Sequence, residues 1–207
     1  MSMRQIRMDN VATRKGKPED AEDFSQLALF TAPRFLPYLF GSDVKNSMKK
    51  LFQCRRNYFG FEHSYFVELN GKIAGMALLY SYEEKKREYS RTFLLGLKYL
   101  KWHFFAQLPP LLKSERIMVQ ITEGDCYLTF IAVYPEFRGR GLGTKLLGVI
   151  EEEAKRIGSR RVALDVEISD EGAIKLYKRL GYDIGRKAPI FKIKDKNFEF
   201  FNMNKNI

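Results

Sequence analysis

Cysteine and histidine are scarce in this 207-residue sequence, which holds Cys54 and Cys126, His63 and His103. Two cysteines are too few for a disulfide scaffold or a thiolate zinc site, and two histidines argue against a histidine-rich metal centre. No metal is therefore expected. Long apolar runs are also missing. The most apolar stretch, Phe93 to Leu108, carries Lys98, Lys101 and His103, and is too short and too charged for a membrane span. No apolar stretch follows the basic N-terminal residues before Ala28, so no secretory signal is read, and a cytoplasmic protein with reduced thiols is expected. Internal repeats and low-complexity tracts are absent.

Apolar residues make up 45% of the chain and charged residues 29%, enough for a sizeable core and against wholesale disorder. The length suits one domain over 1–207, with room for a substantial insertion. Lys and Arg number 36 against 25 acidic residues, a formal charge of +11. That balance suits an anionic partner: nucleic acid, a membrane surface or a phosphorylated cofactor. The positive charge is spread along the chain and only 118–127 is net negative, so a basic nucleic-acid arm is not expected.

The periodicity predicts a short strand at Val11–Arg14, then a helix entered through Lys17-Pro18-Glu19-Asp20, with its acids placed to complement the helix dipole. Pro33 and Pro37 break up an aromatic segment, Phe35 to Phe40, and a second helix is predicted from Val44 to about Cys54. Asn70-Gly71 is a hairpin turn between strands at Tyr65–Leu69 and Lys72–Tyr80. Residues 83–117 interrupt the sheet with a basic, aromatic, helix-like insertion that Pro109-Pro110 is expected to stop. A nearly continuous apolar strand follows, from Cys126 or Tyr127 to Val133. Next come an amphipathic helix from Leu142 to Ile157, a strand at Arg161–Val166, and a helix from Glu171 to Leu180. Two more strands joined by a Lys-rich turn are expected over Tyr182–Met203. This order reads as α+β with a mixed, mostly antiparallel sheet of six or seven strands flanked by helices.

Tyr134-Pro135-Glu136-Phe137-Arg138-Gly139-Arg140-Gly141-Leu142-Gly143-Thr144 carries the chemistry. A buried strand ends there, and a glycine-rich, doubly cationic turn opens into a helix. Free N–H groups at the helix start, the helix dipole, Arg138 and Arg140 make an anion cradle suited to pyrophosphate. The order of Gly143, Thr144 and Lys145 fails the Walker A pattern, and counts from Gly139 and Gly141 both fail the dinucleotide fingerprint. Arg-x-x-Gly-x-Gly, on Arg138, Gly141 and Gly143, is the pattern that fits.

This loop, preceded by Ile131-Ala132-Val133-Tyr134-Pro135 and followed by Asp170-Glu171-Gly172-Ala173 and Leu176-Tyr177 to Leu180-Gly181-Tyr182, resembles the acetyl-CoA-binding core of the GNAT superfamily of N-acetyltransferases. The resemblance is strongest over 126–182 and nearest in motif to the branch that acetylates ribosomal proteins and N-terminal amines. It implies a GNAT-like fold with its insertion between the third and fourth strands, and transfer of an acetyl group from acetyl-CoA to a primary amine by direct attack. It also implies that Ile131, Ala132 and Val133 hold the pantetheine arm like an extra strand. Gly139, Arg140, Gly141, Leu142, Gly143 and Thr144 would hold the pyrophosphate. The family's usual Asn is Asp170 here; Asp caps a helix equally well but lacks the amide donor and adds negative charge near an anionic ligand.

In the same comparison Tyr177 stands at the general-acid position, where a phenol can protonate the leaving thiolate. Asp165, twelve residues earlier, stands where the resembling branch has a Glu base; its shorter reach leaves room for an intervening water. Alternation puts Asp165 and Glu167 on the strand face opposite Val162, Leu164 and Val166, where they could equally be exposed or paired with Arg160 and Arg161. Glu123 and Asp125 are rival bases. Cys126 reads as a small buried residue. Acceptor choice is assigned to helices 18–56 and the insertion, which with Phe35, Tyr38, Phe40, Tyr58 and Phe59 could make an aromatic lid or simply pack as core. The insertion's basic and aromatic mix also suits anionic lipid or a homodimer surface. A non-catalytic acyl-CoA-binding sensor on the same fold is the competing function.

Overall fold

The computed structural model describes residues 10–193 and 196–207, without the side chains of 38, 39, 100–108, 110–117 and 193. Strand β1 (Val11–Lys15) leads into helices α1 (Ala21–Thr31), α2 (Phe35–Phe40) and α3 (Val44–Gln53). The hairpin β2 (Ser64–Leu69) and β3 (Lys72–Ser81) follows, then the long helix α4 (Tyr82–Ile117). Next come β4 (Asp125–Val133), α5 (Leu142–Arg156), β5 (Arg161–Glu167) and α6 (Glu171–Arg179). Short strands β6 (Asp183–Lys187), β7 (Phe191–Ile193), β8 (Lys196–Phe198) and β9 (Phe200–Asn206) end the chain. Seven strands form one sheet in the order β1-β2-β3-β4-β5-β9-β6, and β7 pairs with β8 in a separate hairpin. Only β4 and β5 run parallel; the other paired strands are antiparallel.

Two expectations need correction. The helix of the insertion does not stop at Pro109-Pro110 but continues to Ile117. A helical proline forfeits an i−4 hydrogen bond and costs about 3 kcal/mol, but Leu111–Ile117 supplies Leu, Lys, Glu and Arg, good helix formers that carry the helix on. The segment after Tyr182 holds four short strands, not two. Pro189 cannot donate to a sheet, so β6 ends before it, and Phe191 and Phe198 turn inward as the β7–β8 hairpin, almost fully buried. Lys194 and Asp195 of the expected Lys-rich turn, and the side chains of Tyr38, Trp102, Phe104 and Phe105, lie outside the described residues.

The core lies on both faces of the sheet. On one face Phe24, Phe52, Phe66, Met76 and Phe130 pack under α1 and α3. On the other, Leu142, Leu146, Ile150 and Ala154 of α5 pack with Val162, Leu164 and Tyr177. A β-bulge changes which residues of β4 face which side. Leu79 pairs with Leu128 and Leu78 with Phe130, leaving Thr129 as the extra residue. Before it Cys126 and Leu128 face α5; after it Phe130 and Ala132 face the helices of the first half. The β4–β5 pairing covers only Asp125–Leu128 against Arg161–Leu164. Beyond Thr129 the two strands part, and the sheet opens at its centre. That opening positions the site.

Candidate active site

The glycine-rich loop leaves β4 through a 3₁₀ turn, Pro135–Phe137. Gly139 and Gly141 then take φ of 76° and 75°, in the left-handed region. A Cβ at either would meet no atom within 4 Å, so glycine is required there by conformation and not by crowding. The first bond inside α5 runs from Lys145 N to Gly141 O (3.0 Å), so the amides of Leu142, Gly143 and Thr144 fall in the helix's unpaired first turn. Arg138 Nε donates to Val133 O (3.1 Å) and fixes that side chain across the end of β4. Gly143 matters differently: a Cβ there would sit 3.4 Å from Leu176, so α5 and α6 lie close together. At the start of α6, Asp170 Oδ1 accepts from Ala173 N (2.9 Å), the helix cap expected of it.

A cavity of about 1120 Å³ runs from this loop through the sheet opening to the aromatic side chains of α2 and α4. Its lining brings together Ile131, Ala132, Val133, Arg138, Gly139, Gly141, Leu142, Gly143, Thr144, Asp165, Asp170 and Tyr177. Arg140 does not line it. Glu123 does not either: it is exposed, and its carbonyl accepts from Arg160 (3.4 Å). Glu123 precedes the paired end of β4 while the strands part at the other end, so the fold does not bring it to the cavity. Its rival Asp125 is bound to Arg161 (2.5 Å) and also sits off the cavity. Burial acts to raise the Asp125 carboxyl, but hydrogen bonds from Arg161 and Thr122 outweigh it and hold the group below the usual range.

Asp165 is neither exposed nor paired with Arg160 or Arg161. It accepts from the backbone of Val119 (3.0 Å), from Tyr127 Oη (2.8 Å) and from Asn202 Nδ2. Burial pushes its carboxyl up and prevails over these donors. Glu167 is held by Arg34 (2.5 Å), which reaches across from the connection between α1 and α2. The strand alternation was therefore correct, but the helical half of the chain covers this face of the sheet, and it supplies partners that no local pattern names. Tyr127 and Asn202 were missed for the same reason. Tyr127 lies opposite Ala163 and Asn202 opposite Asp165, so only the sheet order β4-β5-β9 brings them together.

Tyr177 lies on the other side of the opening, its ring 5.8 Å from that of Tyr182. Burial, with a smaller contribution from the charge of Asp170, raises its phenol, so it stays protonated. At the bulge, the buried Thr129 Oγ1 lines the cavity without a hydrogen-bond partner. The cavity's far half is lined by Phe35, Phe40, Tyr58 and Phe59, as expected, joined by Tyr80, Tyr89 and Phe93. Among the described residues no cluster of His, Cys, Asp and Glu could hold a metal ion, and no helix is long and apolar enough to cross a membrane.

A strand opening, a glycine-rich turn at the start of the following helix, Asp165 and Tyr177 thus share one cavity. A model of the Acetyltransferase (GNAT) family matches residues 31–182. The chain belongs to that family. Among curated GNAT relatives, an uncharacterised N-acetyltransferase of Methanocaldococcus jannaschii is 51% identical over 53 residues, 26% of this chain and 24% of that protein. N-alpha-acetyltransferase 30 of Schizosaccharomyces pombe is 34% identical over 56 residues, 27% of this chain and 37% of that one. The chain thus spans between a quarter and two fifths of the length of these relatives. Similarity to solved structures is broader. An N-acetyltransferase of Staphylococcus aureus covers 94% of this chain and 100% of its own, with TM-score 0.66 and 23% identity. A Salmonella typhimurium protein solved with its cofactor acetyl-CoA covers 95% of this chain and 93% of its own, with TM-score 0.61 and 15% identity. At these identities the likeness shows the GNAT fold alone.

Proposed function

We propose that the protein transfers the acetyl group of acetyl-CoA directly to a primary amine. The observation that carries this reading is that one cavity holds the anion cradle, the parted strands, a buried carboxylate and a buried phenol. The residues present fit the cosubstrate. The first-turn amides of α5 and Arg138 suit a pyrophosphate. The edge of β4 beyond Thr129, no longer paired with β5, offers backbone groups to an extended pantetheine arm, and Thr129 Oγ1 is a buried hydroxyl in need of a partner. Asp170 keeps the capping role of the usual Asn but donates nothing to a ligand.

Acetyl-CoA would supply the activated thioester; the chain supplies placement and proton traffic. Both oxygens of Asp165 are engaged by donors, so the acceptor's proton reaches it through Tyr127 Oη. That hydroxyl takes a proton from the amine as it passes its own to the carboxylate 2.8 Å away. Burial helps, because a raised Asp165 is a stronger base. As nitrogen bonds to the acetyl carbon and the carbon–sulfur bond breaks, Tyr177 gives its proton to the departing sulfur. Burial makes this phenol a weaker acid, so the transfer is drawn by the charge that develops on the sulfur.

The test is thiol release from acetyl-CoA across a panel of amines and peptides. Acceptor-dependent release supports the reading. Acetyl-CoA binding with no release above hydrolysis would leave a non-catalytic acyl-CoA sensor.

A further inference from the structure

We infer that the acceptor presents its primary amine on an apolar, ring-sized body; this rests on the transferase reading above. Three tyrosines make a continuous row. Tyr58 stacks on Tyr80 with centroids 5.2 Å apart, Tyr80 lies 5.6 Å from Tyr127, and Tyr127 donates to Asp165. An ammonium group is attracted to such rings, and the row ends on the Asp165 carboxylate, on which Arg186 also acts. The amine end of the acceptor therefore belongs at the Tyr127–Asp165 end.

The rest of this half of the cavity is mostly aromatic, with Arg34, Lys85, Thr92 and Glu167 also in its lining. Phe93 and Tyr89 of α4 line it. The Phe35 ring lies about 5.5 Å from those of Phe191 and Phe198, tying α2 to the β7–β8 hairpin, and α4 packs on α2, α3 and β7 above it. The space is partly open to solvent, with Tyr89 and Phe93 exposed at its rim. An arylalkylamine brings one polar group, and that group has its site.

The experiment uses the full chain with acetyl-CoA and compares 2-phenylethylamine with ethylamine, spermidine and tetrapeptides bearing free N-termini. The expected kcat/KM for 2-phenylethylamine exceeds that for ethylamine by on the order of 10²-fold, the usual worth of burying a ring in an apolar site. Phe93→Ala, at a partly exposed position, is expected to raise KM for 2-phenylethylamine about tenfold while leaving the acetyl-CoA KM unchanged. Equal rates for ethylamine, or preference for spermidine or for a tetrapeptide whose first residue carries no ring, would overturn the inference. If no amine turns over, 2-phenylethylamine is titrated into the coenzyme A-loaded protein by calorimetry. Saturable binding that Phe93→Ala weakens sustains the acceptor class even though the transferase reading fails, and absence of binding rejects it.

Discussion

At Asp165 burial and hydrogen bonding act in opposite directions, and burial wins. Its folded-state value is raised, so the group is charged only at higher pH than an exposed aspartate, which titrates near ~3.9. Activity that needs the carboxylate is therefore lost as pH falls through that raised value, earlier on the acid side than for an ordinary aspartate. Asp165→Asn is expected to lower kcat by roughly 10²–10⁴-fold, to abolish that acid limb, and to leave acetyl-CoA affinity intact in calorimetry. Tyr127→Phe, which keeps the ring and removes the relay, is expected to lower kcat with a smaller effect on KM. Asp125 behaves oppositely. Its lowered value means that it contributes stability above the unfolded-state pKa, and this is lost as pH falls through the folded one. Asp125→Asn is expected to cost about 1–3 kcal/mol at pH 7 in urea denaturation, with the gap to the parent closing toward pH 2.

The start of α5 and the length of α4 are features of whole elements. Gly141 holds the left-handed turn that points the first amides of α5 outward, so Gly141→Glu both strains the backbone, by about 1–2 kcal/mol, and adds negative charge at the cradle. Acetyl-CoA affinity is expected to fall at least about 100-fold in a protein that still melts cooperatively. Helix α4 is pinned near its start by the buried contact between His63 Nε2 and Glu88 (2.8 Å), and Tyr58 Oη donates to Lys85 O (2.9 Å). Glu88→Ala leaves His63 buried without that partner and is expected to cost about 1–3 kcal/mol in denaturant. Acceptor KM should rise more than acetyl-CoA KM, because this helix lines only the half of the cavity proposed for the acceptor. The cradle was legible in the sequence because its parts are consecutive: strand, glycines, arginines and helix lie within 131–144. The base was half legible. Strand alternation placed Asp165 on the right face, but its partners come from Val119, Tyr127 and Asn202, far away in the chain and joined only by sheet order. Strands around a Lys-rich turn were legible in this region, but the inward burial of Phe191 and Phe198 was not, because they pack on Phe35, more than 150 residues earlier.

Across the whole molecule the charge of +11 finds one defined use, in the phosphate cradle, where a cosubstrate rich in anionic groups would bind. A ligand that binds only the folded chain stabilises it by mass action. Acetyl-CoA at 100 times its dissociation constant would add ~2.7 kcal/mol, a rise of roughly 5–10 °C in melting temperature for a chain of this size. On the proposed function two halves of the molecule divide the work: α5, α6 and one sheet face would present the cosubstrate's site, while α1–α4 and the opposite face would line the acceptor's. The sheet opening between β4 and β5 is where they meet, and catalysis depends on both halves reaching one cavity. Thiol release from acetyl-CoA, followed with and without 2-phenylethylamine and repeated on Asp165→Asn, tests this most directly. The expected result is amine-dependent release that the substitution suppresses by about two orders of magnitude or more at unchanged acetyl-CoA affinity. Amine-dependent release of the same rate in Asp165→Asn, or bound acetyl-CoA that no amine discharges, would contradict it.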